Sequence, residues 1–145
     1  MFTHILVPTD GSKLSEKAVK RAVALAKQLK AKVTALHVRP KFHTFTYQAE
    51  MLESTRETYA AASAKQADQF LQFAERAARV ANVPCDTFQL VSDQPYAEIV
   101  KTARRKDCDL ILMASHGRRG IEGFLLGSET QKVLTHSGIP VLVYR

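Results

Sequence analysis

The chain has 145 residues, 46% of them apolar, and carries 21 basic against 14 acidic side chains for a net charge of +7. One domain of this length buries a proper core, and the composition excludes a disordered chain. No apolar run reaches membrane-spanning length, MFTHILVPTD lacks a signal-peptide pattern, and Cys85 and Cys108 form neither a disulfide framework nor a Cys/His cluster, so no membrane contact, no zinc and a reducing, cytoplasmic setting are expected.

The first predicted strand is His4-Ile5-Leu6-Val7, ended by Pro8, which cannot donate to a ladder. Thr9-Asp10-Gly11-Ser12 is turn chemistry, with Ser12 or Ser15 as helix cap. The helix that follows runs to about Lys30. Nine of the basic residues lie before Tyr47, against only Asp10 and Glu16, while the remainder balances at twelve and twelve. Lys13, Lys17, Lys20 and Lys27 share one stripe, opposite Ala18, Ala22, Leu25, Ala26 and Leu29, which is how a solvated outer face reads. No nucleic acid partner is expected from it, although a patch of this sign attracts polyanions.

Val33 to Val38 is a second strand, ended by Pro40. The stretch KFHTFT (41–46) is irregular and aromatic, and Phe42 and Phe45 would cover either core or a pocket. About Tyr47 to Ala81 has no glycine or proline and reads as a long helix, whose stripe Phe70, Phe73, Ala74, Ala77 and Ala81 is assigned to core. Cys85 to Val91 alternates as an edge strand does. Asp93 is expected to cap the next helix, with Pro95 in its first turn and a basic end at Arg104, Arg105 and Lys106.

Asp109 to Ala114 is a buried strand that opens into a loop containing Gly117, Gly120, Gly123 and Gly127. Ser128 then begins a short helix to about Thr135, and Val141 to Tyr144 is the last strand. Glycines let backbone approach an anion, and a helix N-terminus adds partial positive charge, so a strand opening through glycines onto a helix suits phosphate. An ordinary long βα loop has the same composition.

Alternating strands and helices predict an open, doubly wound α/β fold: a parallel five-stranded sheet with helices on both faces. With the alternating strand at an edge the order is 3-2-1-4-5, and the switch point lies between strands 1 and 4. Asp10 and the glycine loop are thereby predicted to face each other. Strand 5 is left as an apolar edge, which a symmetric dimer would cover, unless a helix of the same chain does.

ILVPTDGS, ALHV, DLILMASHG and LLGSETQKVLTHSGIPVLVYR, in this order, resemble the universal stress protein family over nearly the whole chain. The resemblance implies the same sheet order, dimers through the last strand, and ATP as ligand in members carrying G-x2-G-x9-G-[S/T]. Here Gly117 and Gly127-Ser128 fill the last three positions with the right spacing, and Ala114 replaces the first glycine. By resemblance, Asp10 would meet the ribose or lie near the adenine, and Pro8, Thr9 and Val38 would border the base, Val38 through its backbone. Ala114 would lie beside the ribose. Gly117, Gly127, Ser128 and Glu129 would turn N–H groups to the phosphates, and Ser128 would add its hydroxyl. Arg118 and Arg119 would either approach the phosphates as charges or sit in a solvated loop. Magnesium could ride on the phosphates with few protein ligands.

GxGxxG after strand 1, GxxxxGK[ST] and SGGxD are all absent, and no nucleophile–base pair is visible by spacing, His116 included. Slow, incidental ATP hydrolysis is the most an enzyme reading supports. A nucleotide-binding regulatory module in stress adaptation is the leading expectation, with an unidentified protein partner. A nucleotide-independent interaction module is the alternative.

Overall fold

Four short apolar runs and one strand of alternating polarity, each bounded by proline, glycine or a polar turn, form a single parallel sheet. The computed structural model describes residues 1–42, 49–118 and 126–145, with the side chains of 49–54 excepted, so Phe45, Arg119, Gly120 and Gly123 fall outside the described residues. The elements are β1 (His4–Pro8), α1 (Lys13–Leu29), β2 (Lys32–Arg39), α2 (Ala49–Ala81), β3 (Cys85–Val91), α3 (Pro95–Arg105), β4 (Leu110–Ala114), α4 (Ser128–His136) and β5 (Val141–Tyr144). The strand order is β3-β2-β1-β4-β5, as the pattern predicts.

The period of two along the strands divides the core. Ile5, Val7, Val33, Ala35, Leu110, Leu112 and Ala114 face one way and pack with Ala18, Val19, Ala22, Val23 and Ala26 of α1 and Leu71, Ala74 and Ala78 of α2. Leu6, Leu36, Ile111 and Met113 face the other way and meet Ile99, Ala103 and Val133 from α3 and α4. Both faces are therefore covered, as continuous apolar strands require.

Ends and caps differ from expectation at Pro8 and Asp93, and agree with it at Ser12. Pro8 stays in the sheet opposite Leu36, because a parallel register leaves its missing N–H off the β2 side. Ser12 caps α1 by accepting from the Ser15 N–H at 3.2 Å. Asp93 does not cap α3: Gln94 holds the cap position without a side-chain bond, and the Asp93 carboxylate accepts from the Lys41 N–H at 3.0 Å. The α3 N-terminus is served instead by Glu129, whose Oε2 accepts from the Tyr96 N–H at 2.9 Å. Asp109 precedes β4 and pins the chain start, accepting from the N–H groups of Thr3 (2.8 Å) and His4 (3.0 Å).

β3 and β5 are the sheet edges. In β5, Leu142 is 41% exposed, whereas Val141 and Tyr144 pack partly against the two core faces. The two thiols are unpaired, and burial pushes both up to about 11, which makes them unreactive at neutral pH.

Candidate functional site

At the carboxyl ends of β1, β2 and β4 three separate stretches of sequence converge. The β1–α1 turn brings Asp10, whose Oδ1 accepts from the Ser12 N–H (3.0 Å) and whose Oδ2 accepts from the Arg118 N–H (2.8 Å). The second bond joins residues 108 apart in sequence and ties the start of the glycine loop to β1. Gly117 lies directly against this carboxylate: a Cβ there would land on Asp10 Oδ2. Its backbone is outside the left-handed region, so space rather than conformation requires the glycine. Burial pushes the Asp10 carboxyl up, but the polar groups of Ser12, the Arg118 N–H and the Ser15 hydroxyl outweigh it and hold the group below the ordinary carboxylate range. Asp10 is a fixed anion in a sheltered turn.

Thr9 is fully engaged. Its N–H donates to the Leu36 carbonyl (2.8 Å), its hydroxyl pairs with Ser15 Oγ (3.0 Å), and its carbonyl accepts from His37 Nδ1 (2.8 Å). Val38 is the opposite case. Along β2, Lys32 and Leu36 direct their backbone groups at β1, while Val33 and Arg39 direct theirs at β3, bonding Pro84 and Ser92. By this alternation the N–H and C=O of Val38 face the β1 side, two residues past the last β1–β2 pair, Pro8 with Leu36. They have no partner among the described residues, and a donor and an acceptor lie side by side at the mouth of the crevice.

The glycine loop closes on Gly127, which caps α4; Ser128 is therefore the first helical residue, exposed, and not the cap itself. The Gly127 N–H, expected to face an anion, donates to the Ser115 carbonyl at 2.6 Å instead. A Cβ on Gly127 would come within 3.2 Å of His116 Cα and of that carbonyl, so the glycine serves close backbone packing. Ser128 and Glu129 keep first-turn N–H groups that no carbonyl of the helix can reach, and these are the donors left for an anion. The Glu129 carboxylate is turned away, onto Tyr96 and, at 3.6 Å, Lys132. Thr130 donates its hydroxyl to the Ala114 carbonyl (2.9 Å) and so locks α4 to β4.

Ala114, the departure from the glycine pattern, is 8% exposed and belongs to the core face under α1. Its methyl is absorbed by the core rather than by the crevice.

Two site neighbours were invisible to sequence reasoning. Phe70, assigned there to the core stripe, sits instead over the β1–α1 turn. Its ring fills the place of a Cβ on Gly11, whose φ is +76°, meets the His37 ring edge-on at 5.1 Å and 81°, and lies 4.8 Å beneath the Arg118 guanidinium. His37 was read only as a strand residue. The one available signal was an imidazole inside a mostly apolar strand. Arg119 lies outside the described residues.

Among the described residues no side-chain pair is arranged as nucleophile and base. The Ser115 hydroxyl is 3.2 Å from His116 Nδ1, but Ser115 is buried, and Ser15 is engaged with Ser12 and Thr9. Among the described residues no three His, Cys, Asp or Glu side chains are grouped to hold a metal. What the arrangement offers is a fixed carboxylate at Asp10, first-turn N–H groups at Ser128 and Glu129, and a backbone donor and acceptor at Val38 without partners among the described residues.

Comparison with known proteins agrees with this architecture. The universal stress protein family model matches residues 1–145. The universal stress protein YxiE of Bacillus subtilis is 32% identical over 149 aligned residues, with all of both chains covered. The universal stress protein MJ0577 of Methanocaldococcus jannaschii is 33% identical, with all of this chain and 96% of that one covered. The solved MJ0577 structure superposes with a TM-score of 0.84 over 99% of this chain and 96% of that one, at 28% identity. A universal stress protein solved in complex with cAMP superposes at 0.72 over 99% of this chain and 97% of that one, at 26% identity.

Proposed function

Because the chain belongs to the universal stress protein family, we propose that it is an adenine-nucleotide-binding regulatory module, with ATP as its ligand, acting in stress adaptation rather than as an enzyme. The observation that carries this reading is the Asp10 carboxylate held between the β1–α1 turn and Gly117–Arg118, which unites the two sequence features at the sheet's switch point. The similar chain solved with cAMP supports an adenine nucleotide as the ligand class.

In this reading the base lies near Pro8 and Thr9 against the open backbone of Val38, the ribose hydroxyls donate to Asp10 beside Ala114, and the phosphates meet the N–H groups at the start of α4, around Gly117, Ser128 and Glu129. Arg118 adds positive charge, and Arg119, the next residue in sequence, would add more. Magnesium fits as an ion carried by the phosphates, since the donors available are N–H groups and the chain offers no metal cluster among its described residues. ATP hydrolysis would be slow, for want of a positioned base among the described residues. The apolar edge of β5, with Leu142 exposed, suits pairing with a second copy and would carry the signal as a cytoplasmic homodimer.

The test is to purify the protein without added nucleotide, denature it, and analyse the released small molecules, with calorimetric titration by ATP alongside. Bound ATP, or micromolar affinity (about −8 kcal/mol), supports the reading, and Ser128→Asp, at the exposed first position of α4 where a carboxylate suits the helix but repels phosphate, should abolish binding while leaving the fold intact. Unchanged affinity in that variant would remove the phosphate assignment. An empty chain with no binding heat would favour the nucleotide-independent interaction module.

A further inference from the structure

In the β1–β2 ladder, Lys32 donates to the Thr3 carbonyl, and each step of two residues on β2 matches a step of two on β1 through the pair Pro8–Leu36. The next rung in that register would run from the Val38 N–H to the Thr9 carbonyl. It is not made. The Thr9 carbonyl accepts instead from His37 Nδ1, at 2.8 Å. His37 is buried, and its ring is fixed from a second side by the edge-on contact with Phe70. Since a carbonyl accepts, Nδ1 carries the hydrogen, and the bond persists in the neutral ring. We propose that His37 is a positioning residue for base recognition: by taking the Thr9 carbonyl it ends the ladder one rung early and leaves the Val38 N–H and C=O open to the edge of an adenine ring.

This inference rests on the nucleotide reading and adds to it a source of specificity. A donor beside an acceptor on one residue matches adenine, whose N1 accepts and whose 6-amino group donates. Hypoxanthine, with an N1–H and a 6-oxo group, presents the reverse pattern, and buried polar groups facing the wrong partner are strongly unfavourable. His37 touches neither base nor phosphate in this scheme. It acts only through Thr9 and Val38.

The test has a part without nucleotide and a part with it. In the free protein, amide exchange should show Leu36 protected and Val38 unprotected, and in His37→Leu the Val38 amide should become protected as it closes onto Thr9. Protection of Val38 in the free wild-type chain overturns the inference, whatever the protein binds. With nucleotide, the wild type should prefer ATP over ITP by about tenfold or more. His37→Leu should lose about tenfold in ATP affinity and most of that preference, with tripolyphosphate affinity, read by competition, unchanged, and His37→Asn, which keeps an N–H near Nδ1, should restore both. Equal losses for ATP and tripolyphosphate mean a general structural role and overturn the inference, as does an unchanged ATP to ITP ratio. If His37→Leu does not fold, His37→Asn and the wild-type exchange pattern still decide it. No ATP binding by the wild type overturns the nucleotide reading, and this one with it.

Discussion

Gly117→Ala separates a glycine needed for space from one needed for conformation. The added methyl would fall on Asp10 Oδ2, while the backbone there is one that alanine adopts freely. The carboxylate must swing away, and the bond it receives from the Arg118 N–H at 2.8 Å is the one in the path. A hydrogen bond to a charged acceptor contributes about 1.5–3 kcal/mol, so a loss of about 2 kcal/mol is expected. For a chain of this size that lowers the melting midpoint by about 4–8 °C. Urea melts of the four members of a double-mutant cycle with Asp10→Ala check the cause. Without the carboxylate the methyl has nothing to displace, and the cost of Gly117→Ala should fall below about 0.5 kcal/mol. An equal cost in both backgrounds would refute the argument that Asp10 is what demands the glycine.

Two further expectations concern the core and the departure from the glycine pattern. His4 is buried, with Nε2 on Thr34 Oγ1 at 2.7 Å and Nδ1 unpartnered; burial, then Lys32, lower its pKa below 6.5 against the opposing pull of the Lys106 carbonyl, Asp109 and Asp86. The unfolded chain therefore protonates first: stability is full above pH 6.5 and falls as pH drops from there toward the lower folded value. His37, lowered chiefly by burial, adds in the same direction. Urea melts at about pH 7.5 and about pH 5.5 should show this loss, smaller in His4→Gln; the same loss in both proteins would be evidence against His4. Ala114→Gly should cost about 1–2 kcal/mol, from a lost core methyl and a freer unfolded chain, and should raise ATP affinity by less than about threefold. A gain of tenfold or more would place the methyl in the nucleotide's path.

Much of the architecture follows from the sequence alone, because its determinants are local. Apolar runs such as Ile5-Leu6-Val7 and Leu110-Ile111-Leu112-Met113 need two covered faces, so they become interior strands, whereas the polar alternation of Cys85 to Val91 suits only an edge. The right-handed crossover then leaves few orders, and the meeting of Asp10 with Gly117 follows from the order itself. What tertiary structure alone decided is each contact whose partner lies far along the chain. Phe70 fits a helical stripe of core residues, and only the packing of α2 over the β1–α1 turn sets it on Gly11, His37 and Arg118. Asp93 has the right chemistry for a cap, yet Lys41 takes it and Glu129 serves α3 from 33 residues away. Gly127 reads as a phosphate donor until the Ser115 carbonyl is found in front of it. That the Val38 N–H and C=O lack a partner among the described residues follows from where β1 stops, which the β2 sequence does not show. Periodicity records which face a residue occupies; which neighbour satisfies each polar group is settled only when the elements pack.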